Sequence, residues 1–252
     1  MNLLKLIGYG NRAHIAIVGA GGKSSLLSYL SREFRRAGRE VIVSTTTKVW
    51  KHQVEGYAKV VLQNKEGWEE ELINALQNRR LPFIAERVLS DGKLKGISED
   101  ELDQLFLKAI SDIILVEADG AKGYPIKAPG EFEPVIPKTA TTVIGLIGLD
   151  AVGKRVGDRV VFRKERFKEI TSLTDDDHIG ADSLCRLILH PEGLFKGAPS
   201  GSQKVVFLNK LDIFRGEDSL FKYIRSNIRK EHILIAGSIK EEEIYSIDGE
   251  DL

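Results

Sequence analysis

The sequence predicts an α/β fold, a mainly parallel sheet with helices on both faces. Three observations predict it. Short apolar runs recur at residues 14–18, 41–44, 113–116, 142–146, 205–208 and 232–235. Segments of helical periodicity separate them. The runs are nearly unbroken rather than alternating apolar with polar, the pattern of strands covered on both faces.

The elements follow in order. His14-Ile15-Ala16-Ile17-Val18 reads as a buried strand. Leu26, Leu27, Leu30, Phe34 and Ala37 then fall on one helix face. Residues 41–44 form a second strand and 59–62 a short one. Residues 66–77 read as a helix with Trp68, Leu72, Ala75 and Leu76 on one side, and 82–85 as a further strand. Ser90-Asp91-Gly92-Lys93 is turn chemistry. Ser98 and Glu101 have capping-box spacing, starting a helix that runs to about Ala109. Strands at 113–116, 142–146, 205–208 and 232–235 complete the sheet. A single domain over residues 1–252 is expected. Within it, residues 150–202 are more helical and charged, either an insertion in the sheet or a small cap.

Composition narrows the function classes. Of 252 residues 42% are hydrophobic, enough for a sizeable core. Lys plus Arg and Asp plus Glu each number 37, so no global charge draws the chain to nucleic acid or to a membrane. The single cysteine, Cys185, excludes an intrachain disulfide and a cysteine-built metal site, and its apolar helical stripe marks it as a small core residue. Residues 1–7 lack a signal-peptide pattern, and no apolar run approaches membrane-spanning length. A cytoplasmic protein is expected.

The most informative stretch is Gly19-Ala20-Gly21-Gly22-Lys23-Ser24-Ser25, between the first strand and first long helix. A glycine turn opening a helix presents backbone N–H groups and the positive end of the helix dipole to phosphate. Gly19, Gly21 and Gly22 permit the bend and a close approach. Lys23 can reach the outer phosphates, and the Ser24 hydroxyl can ligate Mg²⁺. The pattern is a shortened Walker A, because Ile17 stands where its first glycine belongs. The fold expectation sharpens accordingly to a P-loop NTPase-like α/β architecture. A dinucleotide reading is weaker: Ser24 replaces the third glycine, and Ser44-Thr45-Thr46-Thr47 offers no acid for a ribose.

Other constellations lie at strand ends, where parallel sheets place their ligands. Glu117-Ala118-Asp119-Gly120 follows the strand at 113–116, and either acid could hold Mg²⁺ or its waters, joining Ser24 as metal ligands. The alternative is a cap or turn. Thr45-Thr46-Thr47-Lys48 could contact the terminal phosphate, Thr46 in particular, or could simply continue a strand. Asn209-Lys210-Leu211-Asp212 has the Asn-Lys-x-Asp spacing that reads guanine: Asp212 would accept from the base, Lys210 would lie over the ring, and Asn209 would reach the base edge and tie loops together. Its alternative is a polar loop with Asp212 as an N-cap. Residues 119–137 carry four prolines and three glycines, a stiffened lid on which Lys122 and Lys127 could bind an anion. Asp175-Asp176-Asp177-His178 invites a metal reading, although acids here more often serve a helix dipole.

Gly19–Ser25, Thr45–Lys48, residues 117–123, 133–137 and 148–154, His190-Pro191-Glu192-Gly193 and Asn209–Asp212 occur in this order. Together they resemble the YqeC family, accessory proteins of selenium-dependent molybdenum hydroxylases. The Glu-Ala-Asp-Gly-Ala-Lys-Gly stretch is the most specific part. The family's usual Thr-Thr is Ser24-Ser25 here, and either hydroxyl suits Mg²⁺. The resemblance implies a nucleotide-dependent step in maturing such a hydroxylase or its cofactor, with that enzyme or its maturation proteins as partners. The residues themselves point to GTP or ATP with Mg²⁺. Lys23, Glu117, Asp119 and Thr46 are the candidate catalytic residues, in a slow nucleotide hydrolase. Two alternatives stand beside it. One is an ATP-dependent transferase or ligase with a Mur-like short loop. The other is a non-catalytic module shaped by its nucleotide.

Overall fold

The computed structural model describes residues 3–7 and 10–247. In chain order the first elements are α1 (Leu3–Ile7), β1 (Ala13–Gly19), α2 (Lys23–Arg36), β2 (Val41–Thr45), β3 (Lys48–Trp50), α3 (Lys51–Glu55), β4 (Lys59–Leu62), α4 (Trp68–Gln77) and β5 (Pro82–Ala85). There follow β6 (Arg87–Val88), β7 (Lys93–Lys95), α5 (Glu99–Leu107), β8 (Ile113–Glu117), β9 (Ile126–Lys127), β10 (Thr142–Gly148) and β11 (Val161–Phe162). The last are α6 (Lys164–Thr171), α7 (Ala181–Leu189), β12 (Gln203–Asn209), α8 (Ser219–Asn227), β13 (Ile233–Ser238) and β14 (Glu243–Ser246). Every strand and helix expected from the sequence is present, with ends shifted by a few residues.

Nine strands form one sheet in the order β14-β13-β12-β10-β1-β8-β2-β5-β4, parallel except for the β13–β14 pair. The mainly parallel α/β class is therefore the one observed. β14 was not expected, because Glu243-Ile244-Tyr245-Ser246 is a short alternating edge strand with one buried face. A separate antiparallel sheet joins β3, β7 and β6, built around the Ser90–Lys93 turn. Residues 149–202 form the crossover from β10 to its neighbour β12, which explains their helical, charged character.

β1 divides the core. Ile15 and Ile17 face one cluster with Leu26, Leu30 and Phe34 of α2, while Ala16 and Val18 face another with α6 to α8. A third cluster lies under α4 and α5. α2 forms because its apolar positions repeat at helical spacing, and Arg35 and Arg36 suit the negative end of its dipole. It ends in a Schellman turn, with Gly38 at φ 80 and Arg39 N–H donating to Phe34 O at 3.0 Å. The Ser98–Glu101 capping box of α5 is formed on both sides. Cys185 is buried in α7, and burial pushes its thiol up to about 11.

The 119–137 segment, expected as a stiffened lid, is packed into the core. Ile126, Ala128 and Ile136 are buried in the core, and β9 pairs with β11. Lys127, only 1% exposed, donates to Gly120 O at 2.7 Å and lies 2.9 Å from Asp119 and 2.8 Å from Glu133. Arg163 closes the chain onto Glu133. Lys127 is thus a structural bridge and not the free anion-binding lysine expected. Lys122 projects over the Phe162 ring at 5.5 Å. The Asp175–His178 metal reading is also overturned. Asp175 pairs with Lys164 at 2.7 Å and Lys168 at 3.0 Å, and Asp177 accepts from Thr174 N–H and Oγ1 at 2.7 Å each. Among the described residues no three His, Cys, Asp or Glu side chains converge for a metal.

Burial alone would raise the Glu133 carboxyl, but hydrogen bonds from Arg163 and Lys127 outweigh it and hold it at about 2. A carboxyl held below its ordinary value of 4.5 stabilises the fold above that value, and the gain is lost as pH falls from 4.5 through about 2. The contribution at neutral pH is up to about 3 kcal/mol. Glu133→Gln is expected to lose up to that amount at pH 7 and to converge with wild type near pH 2. Denaturant unfolding across this range measures the difference.

Candidate functional site

Register sets the site. Glu117 of β8 lies opposite Ile17 of β1 and Thr45 of β2, while Gly148 of β10 pairs with Asn209 of β12 and Asn209 with Gly237 of β13. The carboxyl ends of six strands therefore meet on one edge, and the Gly19–Gly22 turn emerges at its centre.

All three glycines of that turn have positive φ: 88 at Gly19, 95 at Gly21 and 122 at Gly22. The reason is partly internal packing. A Cβ on Gly21 would lie 2.4 Å from Gly148 N, and one on Gly22 would lie 2.8 Å from Asn209 Nδ2. The backbone is clamped from below. Ala20 N–H donates to Leu146 O at 2.9 Å, Gly21 N–H to Tyr124 O at 3.1 Å and Gly19 N–H to Asp119 Oδ2 at 3.1 Å. The next N–H groups differ. Among the described residues no protein acceptor meets the N–H of Gly22, Lys23, Ser24 or Ser25, the opening turn of α2, which also lacks a side-chain cap and acidic residues. Four unspent donors at a helix start are the arrangement that an anion can use.

Lys23 is buried and folded back. Its Nζ donates to Gly19 O at 2.7 Å and lies 3.2 Å from Asp119 Oδ1 and 3.8 Å from Glu117 Oε1. The Asp119 contact is an ion pair without an aligned hydrogen bond, which leaves Oδ1 incompletely satisfied. Ser24 Oγ donates to Glu117 Oε2 at 3.0 Å. Burial raises the Glu117 carboxyl above its ordinary value, opposed by Lys23 and the Ser24 hydroxyl.

The two acids divide their labour. Glu117 and Ser24 both line a cavity of about 790 Å³ above the turn, whereas Asp119 is 1% exposed and shared between Lys23 and Lys127. Serine and carboxylate oxygens 3.0 Å apart suit Mg²⁺, which typically takes one or two protein oxygens and completes its shell with water and phosphate. Asp119, walled in by two ammonium groups, does not offer a free edge to a cation.

At the other end of the cavity stand Asn209, Lys210 and Asp212. Asn209 Nδ2 donates to Gly21 O at 2.8 Å and its Oδ1 accepts from Ile239 N–H at 3.1 Å, so it ties the turn to the end of β13. Lys210 Nζ lies 2.7 Å from Asp150 Oδ2. Asp212 sits in a short 3-10 turn, Leu211–Ile213, and is not the N-cap of α8, a place taken by Asp218. Gly21, Gly22, Ser24 and Ser25 line the same cavity; Gly19, Ala20 and Lys23 support it from beneath. Thr46 stands apart, its hydroxyl donating to Val135 O at 3.1 Å, and Thr45 lines the cavity in its place.

Sequence reading missed three contributors. Ser238 and Lys240 line the cavity beside Asp212, and Asp150 anchors Lys210. Small and polar residues closing the apolar run of β13 were the available signal for Ser238.

The YqeC protein family model matches residues 15–165. The Escherichia coli (strain K12) protein YqeC is 36% identical over 197 residues, covering 78% of this chain and 75% of that one. Solved structures with a similar course include FtsY from Mycoplasma mycoides, at 12% identity and TM-score 0.43, with 95% of this chain and 66% of that chain covered. The signal recognition particle 54 kDa protein of Aeropyrum pernix K1, solved in complex with GDP, gives 13% identity and TM-score 0.41, with 97% and 46% covered. The chain thus spans less than two thirds of either solved structure. By its sequence match, this chain belongs to the YqeC family.

Proposed function

We propose that this protein binds a nucleoside triphosphate with Mg²⁺, prefers guanine, and hydrolyses it slowly in support of maturing a selenium-dependent molybdenum hydroxylase. The observation that carries the nucleotide reading is the set of four unspent N–H donors from Gly22 to Ser25, opening onto a cavity of suitable size beside the Ser24–Glu117 pair. The hydroxylase half rests on the family resemblance.

The residues take distinct roles. The N–H groups of Gly22 to Ser25 cradle phosphate oxygens. Lys23 leaves Gly19 O for the outer phosphates, and Lys127 keeps Asp119 neutralised while it does so. Ser24 and Glu117 hold Mg²⁺, which when bound neutralises charge developing on the phosphates. Asp212 accepts from the guanine edge, with Lys210 fixed by Asp150 alongside. Among the described residues no free carboxylate or imidazole is seen beside the Ser24–Glu117 pair to activate water, which is the ground for proposing slow turnover.

Lys23→Ala is expected to weaken triphosphate affinity about 100-fold, read by calorimetry, and to abolish hydroxylase loading in cells. Unchanged affinity would overturn the reading. Ser24→Ala should leave affinity without Mg²⁺ unaltered and bring the gain from added Mg²⁺ close to nothing, measured by equilibrium binding with and without the cation. Asp212→Ala should erase a GTP-over-ATP preference of about tenfold or more in competition. A wild-type preference for ATP would remove the guanine assignment.

A further inference from the structure

Two helices end side by side at the amino edge of the sheet, away from the glycine turn. α2 closes with Gly38 in the left-handed region and Arg39 after it. α4 closes in the same way: Arg79 N–H donates to Leu76 O at 2.9 Å and Arg80 N–H to Ala75 O at 2.8 Å. Here the left-handed position, at φ 53, is held by Arg79 and not by a glycine. A residue with a Cβ is disfavoured there. Arg35 of α2 links the two turns, its guanidinium donating to Arg79 O at 2.6 Å.

Arg35, Arg39, Arg79 and Arg80 line one cavity of about 390 Å³ at the start of β2. It shares no lining residue with the cavity above the glycine turn. The 14 residues of α2 separate the two by about 21 Å. Glu40 is the one carboxylate on its lining. Arg35, Arg79 and Arg80 are exposed, and among the described residues none of the three has a carboxylate within ion-pair distance. Neighbouring surface arginines are paired, Arg32 with Glu242 and Arg36 with Glu33. A helix-dipole role covers Arg35, in the last turn of α2; α4 has no basic residue in its last turn, and Arg79 and Arg80 follow it. The carbonyls of Phe34, Arg35, Ala75 and Leu76 are already spent on the two turns. Like charges thus crowd one concavity without their counterions.

We propose that this cavity is a second anion site, which takes a small molecule bearing phosphate groups. Guanidinium forks grip phosphate oxygens in pairs, and the bound anion supplies the charge that the lining lacks. A cavity of about 390 Å³ suits a free small ligand. The chain's zero net charge gives no global pull toward a nucleic acid strand. The ligand clamps the end of α2 to the end of α4, as Arg35 and Arg79 O already do in part. The proposal does not rest on the nucleotide reading.

The test follows the arginine Nε–H signals of the full chain by NMR as inorganic pyrophosphate is added. The amides of Gly22 to Ser25 are read in the same spectra. In wild type the signals of Arg35, Arg39, Arg79 and Arg80 should shift together and saturate. Sodium chloride at the same ionic strength should leave them in place. Arg79→Gly puts at φ 53 the residue such a turn prefers, so it should melt no lower than wild type. It and Arg80→Ala should each weaken pyrophosphate binding at these signals about tenfold. Lys23→Ala should leave that binding unchanged. No arginine shifts in wild type, equal shifts with chloride, or unchanged affinity in Arg79→Gly and Arg80→Ala overturns the proposal. Shifts with a short DNA duplex and none with pyrophosphate overturn it too. Arginine shifts in a chain that binds no GTP sink the nucleotide reading and leave this site standing; GTP binding without arginine shifts does the reverse.

Discussion

Asp119 is the constraint on which the rest of the site depends. One carboxylate, withdrawn from solvent at the end of β8, accepts from Gly19 N–H and lies between the ammonium groups of Lys23 and Lys127. A buried charge is tolerable only when it is paired and bonded, and removing one partner of such a set costs several kcal/mol. The glycine turn, the opening residue of α2 and the 119–137 segment are therefore fixed against one another by a single group. The alignment continues outward through Glu133 to Arg163, so the crossover from β10 to β12 is tied to the same point.

The charges of this set balance. Three cations, Lys23, Lys127 and Arg163, face three carboxylates, Glu117, Asp119 and Glu133. They are not equally held. Glu133 is drawn far down by two hydrogen-bonded cations, while Glu117 is pushed up by burial and opposed by a lysine 3.8 Å away. The strongly held end is structural, and the weakly held end opens into the cavity.

Much of this was legible in the sequence, for identifiable reasons. β1, β2, β8, β10, β12 and β13 announce themselves because a strand covered on both faces must be apolar along its whole length. The glycine turn was legible because Gly19, Gly21 and Gly22 fall between an apolar strand and an amphipathic helix. Of the two roles expected of Asn209, the tie between loops has a structural counterpart, since its side chain bridges Gly21 and Ile239. The small β3-β7-β6 sheet was not, because two- and three-residue strands carry too few positions to show a period. Lys127 was misread for a physical reason. A lysine in a proline-rich loop looks solvated, and only the fold brings Asp119 and Glu133 to its ammonium. The roles of Glu117 and Asp119 were likewise inseparable in sequence. They are two residues apart, and the fold alone turns one to the cavity and buries the other.

The position of Lys23 follows from the same electrostatics. In a low-dielectric site an ammonium without a partner is costly, so Lys23 folds back onto Gly19 O and the two acids. Its hydrogen bond goes to a carbonyl, and the contact with Asp119 is an ion pair without an aligned hydrogen bond. Lys127 makes a departure of Lys23 tolerable, because Asp119 keeps one ammonium at 2.9 Å when the other departs. A turn with one lysine would have to choose between holding its own backbone and holding a ligand. With two, Asp119 keeps the ammonium of Lys127 whatever Lys23 does.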